Sequence, residues 1–420
     1  MPSTIVEKIL AHASGKKSVS SSDKVWANVD LVAMRDFGGP NVILKYEQEF
    51  DDEPVFDPNK VAITFDLHIP PRQIKEANNQ KICREFARKK GVHLFDINKG
   101  IGQHTLLEHG MVKPYDVIIG TDSHMNLLGV AEAFSTGVGI TDIVAAMRYG
   151  KLWYRVPETV KIKVSGELKK LVTPKDVILH IISNLGTDGL SYKAVEFEGN
   201  LVENMGVDGR ITLLSMVTEM DGKIGFIKPN KLVLDFLKEK VGDEVKPIEP
   251  DKGAEYSDDF EFDVTDLEPQ VACPHSPDNV KNVREVEGTP IDQVFIGSCT
   301  NGRLEDLRVA ASILKGKKVK KGCRLIVTPS TMEVAKKALE EGVIQTILES
   351  GAVVTNPSCA LCTIGHPGVL ASGDVTLSTS NRNYPGKIGK GGEIYLVSPA
   401  TAAASALYGE IMDPRDVKDE

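Results

Sequence analysis

Gln293-Val294-Phe295-Ile296-Gly297-Ser298-Cys299-Thr300-Asn301-Gly302-Arg303 reads as a short buried strand that ends in a polar turn and leads directly into a helix over 304–314. Leu304, Leu307, Ala311 and Leu314 recur at helical spacing and give that helix its apolar face. A strand feeding a helix through a tight turn is the building unit of a parallel sheet covered by helices. In such sheets, ligands gather at the carboxyl ends of the strands, and Cys299 falls at that end. Thr300 and Asn301 are placed to cap the helix, whose N-terminal dipole favours a thiolate and nearby anions.

The same alternation extends in both directions. Downstream, Arg324-Leu325-Ile326-Val327-Thr328 reads as a second strand, and 353–362 and 375–380 continue the pattern. Upstream, Val61-Ala62-Ile63-Thr64-Phe65 reads as a buried strand, 74–89 as a helix, and 92–95 and 116–120 as further strands. Asp66-Leu67-His68 and Thr121-Asp122-Ser123-His124 lie at predicted strand ends. A strand over 159–167 opens a second unit, with a helix over 174–185 and the turn Gly186-Thr187-Asp188-Gly189. The acidic stretch 249–268 reads as an irregular surface crossing. The pattern predicts an α/β protein of three α/β/α domains with mostly parallel sheets, bounded at 1–157, 158–283 and 284–420. The sequence carries no internal repeat and no low-complexity tract.

Bulk properties narrow the function. A chain of 420 residues is long for one core, and 41% hydrophobic with 26% charged residues is ordinary for a globular enzyme. A net charge of -9 argues against a general nucleic-acid binder. Six cysteines are too few for a disulfide scaffold, and Cys83, Cys273 and Cys323 read as buried free thiols. No run of about eighteen apolar residues and no signal-peptide pattern is present, so a cytoplasmic setting is expected.

Cys299 and the pair Cys359 and Cys362, in Asn356-Pro357-Ser358-Cys359-Ala360-Leu361-Cys362, supply three soft ligands, one fewer than a closed site needs. A cubane cluster held by three thiolates leaves one iron without a protein ligand, open to a substrate hydroxyl or carboxylate. For the Cys-x-x-Cys pair alone, a redox dithiol and half of a zinc site are rivals. A closed zinc site would draw its fourth ligand from His366.

Gly-Ser-Cys-Thr-Asn-Gly-Arg, Asn-Pro-Ser-Cys-x-x-Cys and Ser380-Asn381-Arg382-Asn383 together resemble the aconitase superfamily, in particular its separate large subunits of the 3-isopropylmalate dehydratase and homoaconitase type. The likeness runs nearly the whole chain, from Thr4-Ile5-Val6-Glu7-Lys8-Ile9-Leu10 to Ser398-Pro399-Ala400-Thr401-Ala402-Ala403-Ala404. It implies a [4Fe–4S] hydro-lyase acting on a di- or tricarboxylic acid, with Cys299, Cys359 and Cys362 holding three irons in a cleft among the domains. It places Asp66, Asp122 and His124 at active-site positions, Glu219 as the partner of His124, and His68 or His104 as the group that protonates the leaving oxygen. Ser123, Arg303, Arg382 and Lys387 would contact substrate, with a surface salt bridge as the alternative for Arg303. It also implies a separate small subunit, a swivelling domain, in a heterodimer or heterotetramer. Homoaconitase, citraconate or dimethylmaleate hydratase, or a cluster-bearing regulatory protein without turnover are the alternatives.

The chain departs from the family pattern at the site itself. His68 is displaced by one residue from the usual position, a shift that aims a side chain in extended backbone to the opposite face. In Gly100-Ile101-Gly102-Gln103-His104, glutamine and histidine have traded places. Arg35-Asp36 stands for the usual His-Asp, and Lys387 for an arginine. Backbone adjustment that restores the two histidines, a changed substrate, or a repurposed site would each account for this. The retained charge of Arg35 and Lys387 favours a changed substrate.

Overall fold

Val61–Thr64, His93–Phe95 and Val117–Gly120 form where the apolar runs place them. They pair with Leu31–Arg35 and Phe134–Gly137 in one five-stranded sheet in which every pairing is parallel. Numbered by chain position, its strands lie in the order 3-2-1-4-5, with Leu31–Arg35 in the middle. Helices Gly39–Phe50, Ile74–Lys90 and Gly102–Glu108 and the segment Ser123–Ala131 lie in the connections between the strands, and Ile140–Tyr149 follows the last of them.

A four-stranded sheet follows, in the order Ile224–Ile227, Ala194–Glu198, Thr159–Ser165 and Asp258–Asp263. The last strand lies inside the stretch expected to be irregular. Its sequence Asp-Asp-Phe-Glu-Phe-Asp alternates, but no residue in it is buried, so the hydrophobic signal of a strand is weak.

The third sheet has seven strands: Val280–Asn282, Gln270–Ala272, Glu393–Leu396, Val375–Ser378, Gln293–Ile296, Arg324–Val327 and Val353–Val354. Its five parallel strands repeat the 3-2-1-4-5 order around Gln293–Ile296. The first sheet and this one therefore share a topology that the sequence does not display as a repeat. Gln270–Ala272 and Val280–Asn282, which lie before 284, pair within this sheet. Val353–Val354 is far shorter than the expected 353–362, because Pro357 lacks a donor and Ala360–Cys362 closes into a single 3-10 turn.

The computed structural model describes residues 2–364 and 366–418, and they fall into two units. The first takes in the chain up to Asn98 with Gly102–Val164 and Leu190–Phe262, and so contains the five- and four-stranded sheets. A continuous core links them, running from Val32, Met34 and Ile63 to Ala194, Ile224 and Phe226. The second takes in Lys99–Ile101, Ser165–Gly189 and the chain from Asp263 onward. Here the helix Pro399–Tyr408 is built largely of alanine. Ala400, Ala402, Ala403, Ala404 and Ala406 are fully buried, which lets the helix sit close to Gln293–Ile296 and Leu304–Leu314. No helix among the described residues is long and apolar enough to cross a membrane.

In the first unit the two sheets meet where the segment Ser123–Ala131, buried from His124 onward, packs on Ile224–Ile227. A Cβ on Gly129 would lie 2.0 Å from the Gly225 carbonyl oxygen, which is backbone and cannot rotate away. Gly129→Ala is therefore expected to destabilise the protein by roughly 1–3 kcal/mol, read as a fall of several degrees in melting temperature. An unchanged melting temperature would contradict this packing.

Candidate active site

In the first unit the carboxyl ends of Leu31–Arg35, Val61–Thr64 and Val117–Gly120 bring together Arg35, Asp66 and Asp122. The Arg35 Nε donates to Asp66 Oδ1 at 2.8 Å, and its Nη1 donates to Asp122 Oδ2. The Gly102 N–H donates to Asp66 Oδ2 at 2.9 Å. A Cβ at Gly102 would sit 2.4 Å from Thr64 Oγ1, so any other residue there would displace the Thr64 side chain. Burial pushes the Asp66 carboxyl up to about 7, with Arg35 opposing and the neighbouring Asp36 and Asp122 charges adding to it. Burial acts on Asp122 in the same sense, but Arg35 and His124 outweigh it and hold this carboxyl below the usual range.

Asp36 holds the next turn in place. Its carboxylate is fully buried and accepts from the backbone N–H groups of Asp66, Leu67 and His68 at 3.3, 3.1 and 2.9 Å. His68 faces Asp36 and Glu76, with its Nε2 3.6 Å from Glu76 Oε1, and is not among the residues lining the Asp66–Asp122 pocket. His104 is fully enclosed in the helix Gly102–Glu108. Gln103 reaches that pocket instead. It is 2% exposed, both of its amide atoms lack a hydrogen-bond partner, and with Arg35, Asp66 and Asp122 it lines a cavity of about 10 Å³. That is close to the smallest space that holds one water.

His124 follows Asp122, whose Oδ1 accepts from the His124 N–H at 2.7 Å. The His124 Nε2 lies 2.7 Å from Glu219 Oε1, so the pairing expected from the sequence is present. The Ser123 hydroxyl is 3.2 Å from the other ring nitrogen. Asp122 and Ser123 open onto a depression of about 370 Å³ shared with Thr218, Asp221 and Lys223.

In the second unit the parallel strands end around the cysteines. Cys299 sits in the buried turn Ser298–Asn301, and Cys359 and Cys362 sit at the 3-10 turn Ala360–Cys362, which packs against it. Two side chains touch both Cys299 and Cys362. The Ser298 hydroxyl lies 3.9 and 3.2 Å from their sulfurs. Asn381 reaches Cys299 with its Nδ2 at 3.6 Å and Cys362 with its Oδ1 at 3.4 Å. Ser298 and Ala360, each next to a cysteine, have φ of 84° and 46°, the left-handed region that non-glycine residues rarely occupy.

Among the described residues no group of three His, Cys, Asp or Glu side chains converges as ligands of a single ion. Around one zinc, thiolates close to about 2.3 Å from a common centre. A cluster spreads three thiolates over three irons, so it suits soft donors set apart: Cys299 and Cys362 share Ser298 and Asn381 as neighbours, and Cys359 is at the head of the same 3-10 turn as Cys362. The remaining cysteines are also free. Cys83 and Cys273 are buried and Cys323 is half-buried, and burial pushes the Cys83 thiol up to about 12 and that of Cys323 up to about 11.

Leu304–Leu314 is capped differently from expectation. Arg303 is its N-cap, Asp306 Oδ2 accepts from the Arg303 N–H at 3.0 Å, and Asn301 donates to the other Asp306 oxygen at 2.9 Å. Thr300 instead bonds Asn381. Arg303 is buried, whereas Arg382 and Lys387 are half-buried on the segment that follows Val375–Ser378. That segment is held from beneath by Lys175. Its fully buried ammonium donates to the carbonyls of Thr379 and Ser380 at 3.0 and 2.7 Å. Sequence reasoning passed over Lys175, Gln103 and Ser298. For Lys175 a signal existed, a charge in helical register with Ile178 and Ile182.

Two doubly wound parallel sheets, one ending in a carboxylate–arginine cluster and the other beside three cysteines, define an α/β protein with reactive side chains gathered at its strand ends. The chain belongs to the aconitase family (aconitate hydratase), which matches residues 7–409. It is 47% identical over 417 residues to a 3-isopropylmalate dehydratase large subunit 1 of Methanopyrus kandleri, covering 99% of each chain. It is 43% identical over 416 residues to a probable methanogen homoaconitase large subunit of Methanothermobacter thermautotrophicus, covering 98% of this chain and 97% of that one. The crystal structure of Thermococcus kodakaraensis aconitase X shares the fold, with a TM-score of 0.53 at 13% identity over 90% of this chain and 89% of that one.

The raised Asp66 carboxyl generates a pH prediction. A carboxyl lifted by folding binds its proton more tightly in the native state than in the unfolded chain. Its contribution to stability is full below the unfolded value of about 3.9 and is lost as pH rises through the folded value of about 7. Thermal unfolding should therefore show wild type losing stability relative to Asp66→Asn as pH rises from about 4 to about 7. Parallel curves across that window would refute the assignment.

Proposed function

We propose that this chain is the large, cluster-bearing subunit of a hydro-lyase of the 3-isopropylmalate dehydratase type. It would move water across a carbon–carbon double bond of a hydroxy dicarboxylic acid, with a separate small subunit as partner in a cytoplasmic enzyme. The observation that carries this reading is the end-to-end similarity to large subunits so named, at 47% identity for one of them. A homoaconitase-type activity is the second reading, favoured by the 43% relative. The three domains of this reading are 1–157, 158–283 and 284–420.

Cys299, Cys359 and Cys362 would hold a [4Fe–4S] cluster, which when bound supplies a Lewis-acidic iron for the substrate oxygen. Ser298 and Asn381 would hydrogen-bond to its sulfurs, and Lys175 would keep Asn381 in place through the backbone. Arg382, Arg303, Lys387 and Ser123 would orient the substrate carboxylates. His124 is the proton carrier of this reading. Glu219 fixes its tautomer and stabilises its protonated form, and Ser123 lies at its other nitrogen. His68 faces Asp36 and Glu76 and does not line the Asp66–Asp122 pocket, so the reading gives it no part in the proton transfer. Arg35 holds the Asp66 and Asp122 carboxyls in place, and Gln103 faces the same cavity.

The test is turnover without oxygen. The reconstituted chain and its co-expressed small subunit are offered isopropylmalates, homoaconitate, citraconate and dimethylmaleate, and the conjugated double bond is followed by ultraviolet absorbance. Turnover of an isopropylmalate is expected; a loaded complex inactive on every acid would overturn the reading. Cys299→Ser should lose most cluster iron, and full iron content in that variant would remove Cys299 from the ligand set. Glu219→Gln should keep its iron and lower kcat by about 10²-fold or more, whereas unchanged kcat would exclude the pair from proton transfer.

A further inference from the structure

A second pocket of the first unit lies beside the Asp122 depression. It has a volume of about 200 Å³ and is walled by Phe134, Leu152, Trp153, Tyr154 and Tyr192, with Asp142 and Lys223 among its lining residues. The size is below the roughly 300–1,000 Å³ of sites for drug-sized ligands, so a small metabolite is the natural occupant.

Three polar groups at this pocket make no side-chain hydrogen bond. Tyr154 is 6% exposed, and its buried hydroxyl makes no hydrogen bond. Among the described residues, neither the Asp142 carboxylate nor the Lys223 ammonium is hydrogen-bonded or ion-paired. Lys223 has only the Tyr192 ring, with its Nζ 5.0 Å from the ring centroid. Asp142, Tyr154 and Lys223 all line this one small space, and the negative charges of Asp221 and Asp142 both favour the Lys223 ammonium. A buried hydroxyl with no partner, beside two half-buried opposite charges and aromatic walls, is complementary to a ligand that carries both charges and an apolar body.

We propose that this pocket binds a free α-amino acid with a small apolar side chain. Its carboxylate meets Lys223, its ammonium meets Asp142 and the Tyr154 oxygen, and its side chain lies against Trp153 and Phe134. Thr136, Val138 and Lys223 line both this pocket and the Asp122 depression, so the occupant sits next to the proposed active site and outside it. The inference does not rest on the proposed reaction, and its test needs no turnover.

The chain has two tryptophans, Trp26 and Trp153, and Trp26 is exposed, so Trp26→Phe leaves Trp153 as the single reporter in the pocket wall. In that background L-leucine and L-valine are titrated by fluorescence and by calorimetry, alongside 4-methylpentanoate, which lacks the ammonium, and 3-methylbutylamine, which lacks the carboxylate. Saturable binding of an amino acid is expected. Either single-charge analogue, and either Asp142→Asn or Lys223→Met, should weaken it about tenfold or more, as expected for loss of one charge-assisted bond. Tyr154→Phe should weaken it by a smaller factor in a protein that stays folded by circular dichroism. The proposal is overturned by no saturable response up to about 10 mM, by a desamino analogue that binds as well as leucine, or by binding that survives both charge substitutions.

Discussion

When the first strand of a doubly wound parallel sheet lies in the middle, the connections on its two sides cover opposite faces, and a crevice is left at the carboxyl ends beside it. Both large sheets here meet that condition, with Leu31–Arg35 and Gln293–Ile296 as their central strands. In the first, Arg35 ends the central strand and Asp122 follows the neighbour across the switch, so the guanidinium spans the crevice. In the second, Gly297-Ser298-Cys299 ends the central strand and Thr379-Ser380-Asn381 follows the neighbour. The Thr379 hydroxyl ties the two ends together by donating to Gly297 O at 3.0 Å and accepting from Gly297 N at 2.9 Å. One topological constraint, met twice, puts chemistry-bearing residues at equivalent places in the two sheets.

The first crevice is organised by charge. Two carboxylates buried together repel each other and lose solvation, and a single arginine between them offsets much of that penalty. The result is asymmetric: Asp66 is lifted and Asp122 is depressed, although both touch the same guanidinium. The asymmetry follows from neighbours, since Asp36 adds a negative charge near Asp66 and His124 supports Asp122. Asp36 in turn fixes the 66–68 turn through three backbone donors, so the orientation of His68 follows from the backbone it belongs to. The second crevice is organised by shape. Left-handed backbone at Ser298 and Ala360 lets two distant segments present their cysteines to shared partners.

Much of this was legible in the chain. Hydrophobic runs bounded by turns located most strands of the parallel sheets, and Pro174–Leu185 and Leu304–Leu314 form as periodicity predicts. The Cys-x-x-Cys pair, the isolated Cys299 and the His124–Glu219 pairing were also readable as motifs. The edge strand Asp258–Asp263 was not, because it buries nothing and pattern reading relies on burial. Gln103 was passed over in favour of His104 because residue type suggested chemistry. The helix Gly102–Glu108 instead turns the amide toward Asp66 and Asp122 and encloses the imidazole.

The sequence by itself therefore determined which segments become strands and helices, and which residues have the chemistry to act, since both depend on side-chain type and local period. Tertiary structure alone decided which of those residues meet. Arg35, Asp66 and Asp122 are separated by dozens of residues, and so are Cys299, Asn381 and Lys175. Their convergence follows from strand order and crossover, which local periodicity does not encode. Whether His68 or Gln103 faces a site depends on how the 66–68 turn and the helix Gly102–Glu108 are seated, and the buried Asp36 carboxylate and the Gly102–Asp66 hydrogen bond, both far apart in sequence from what they hold, set that seating.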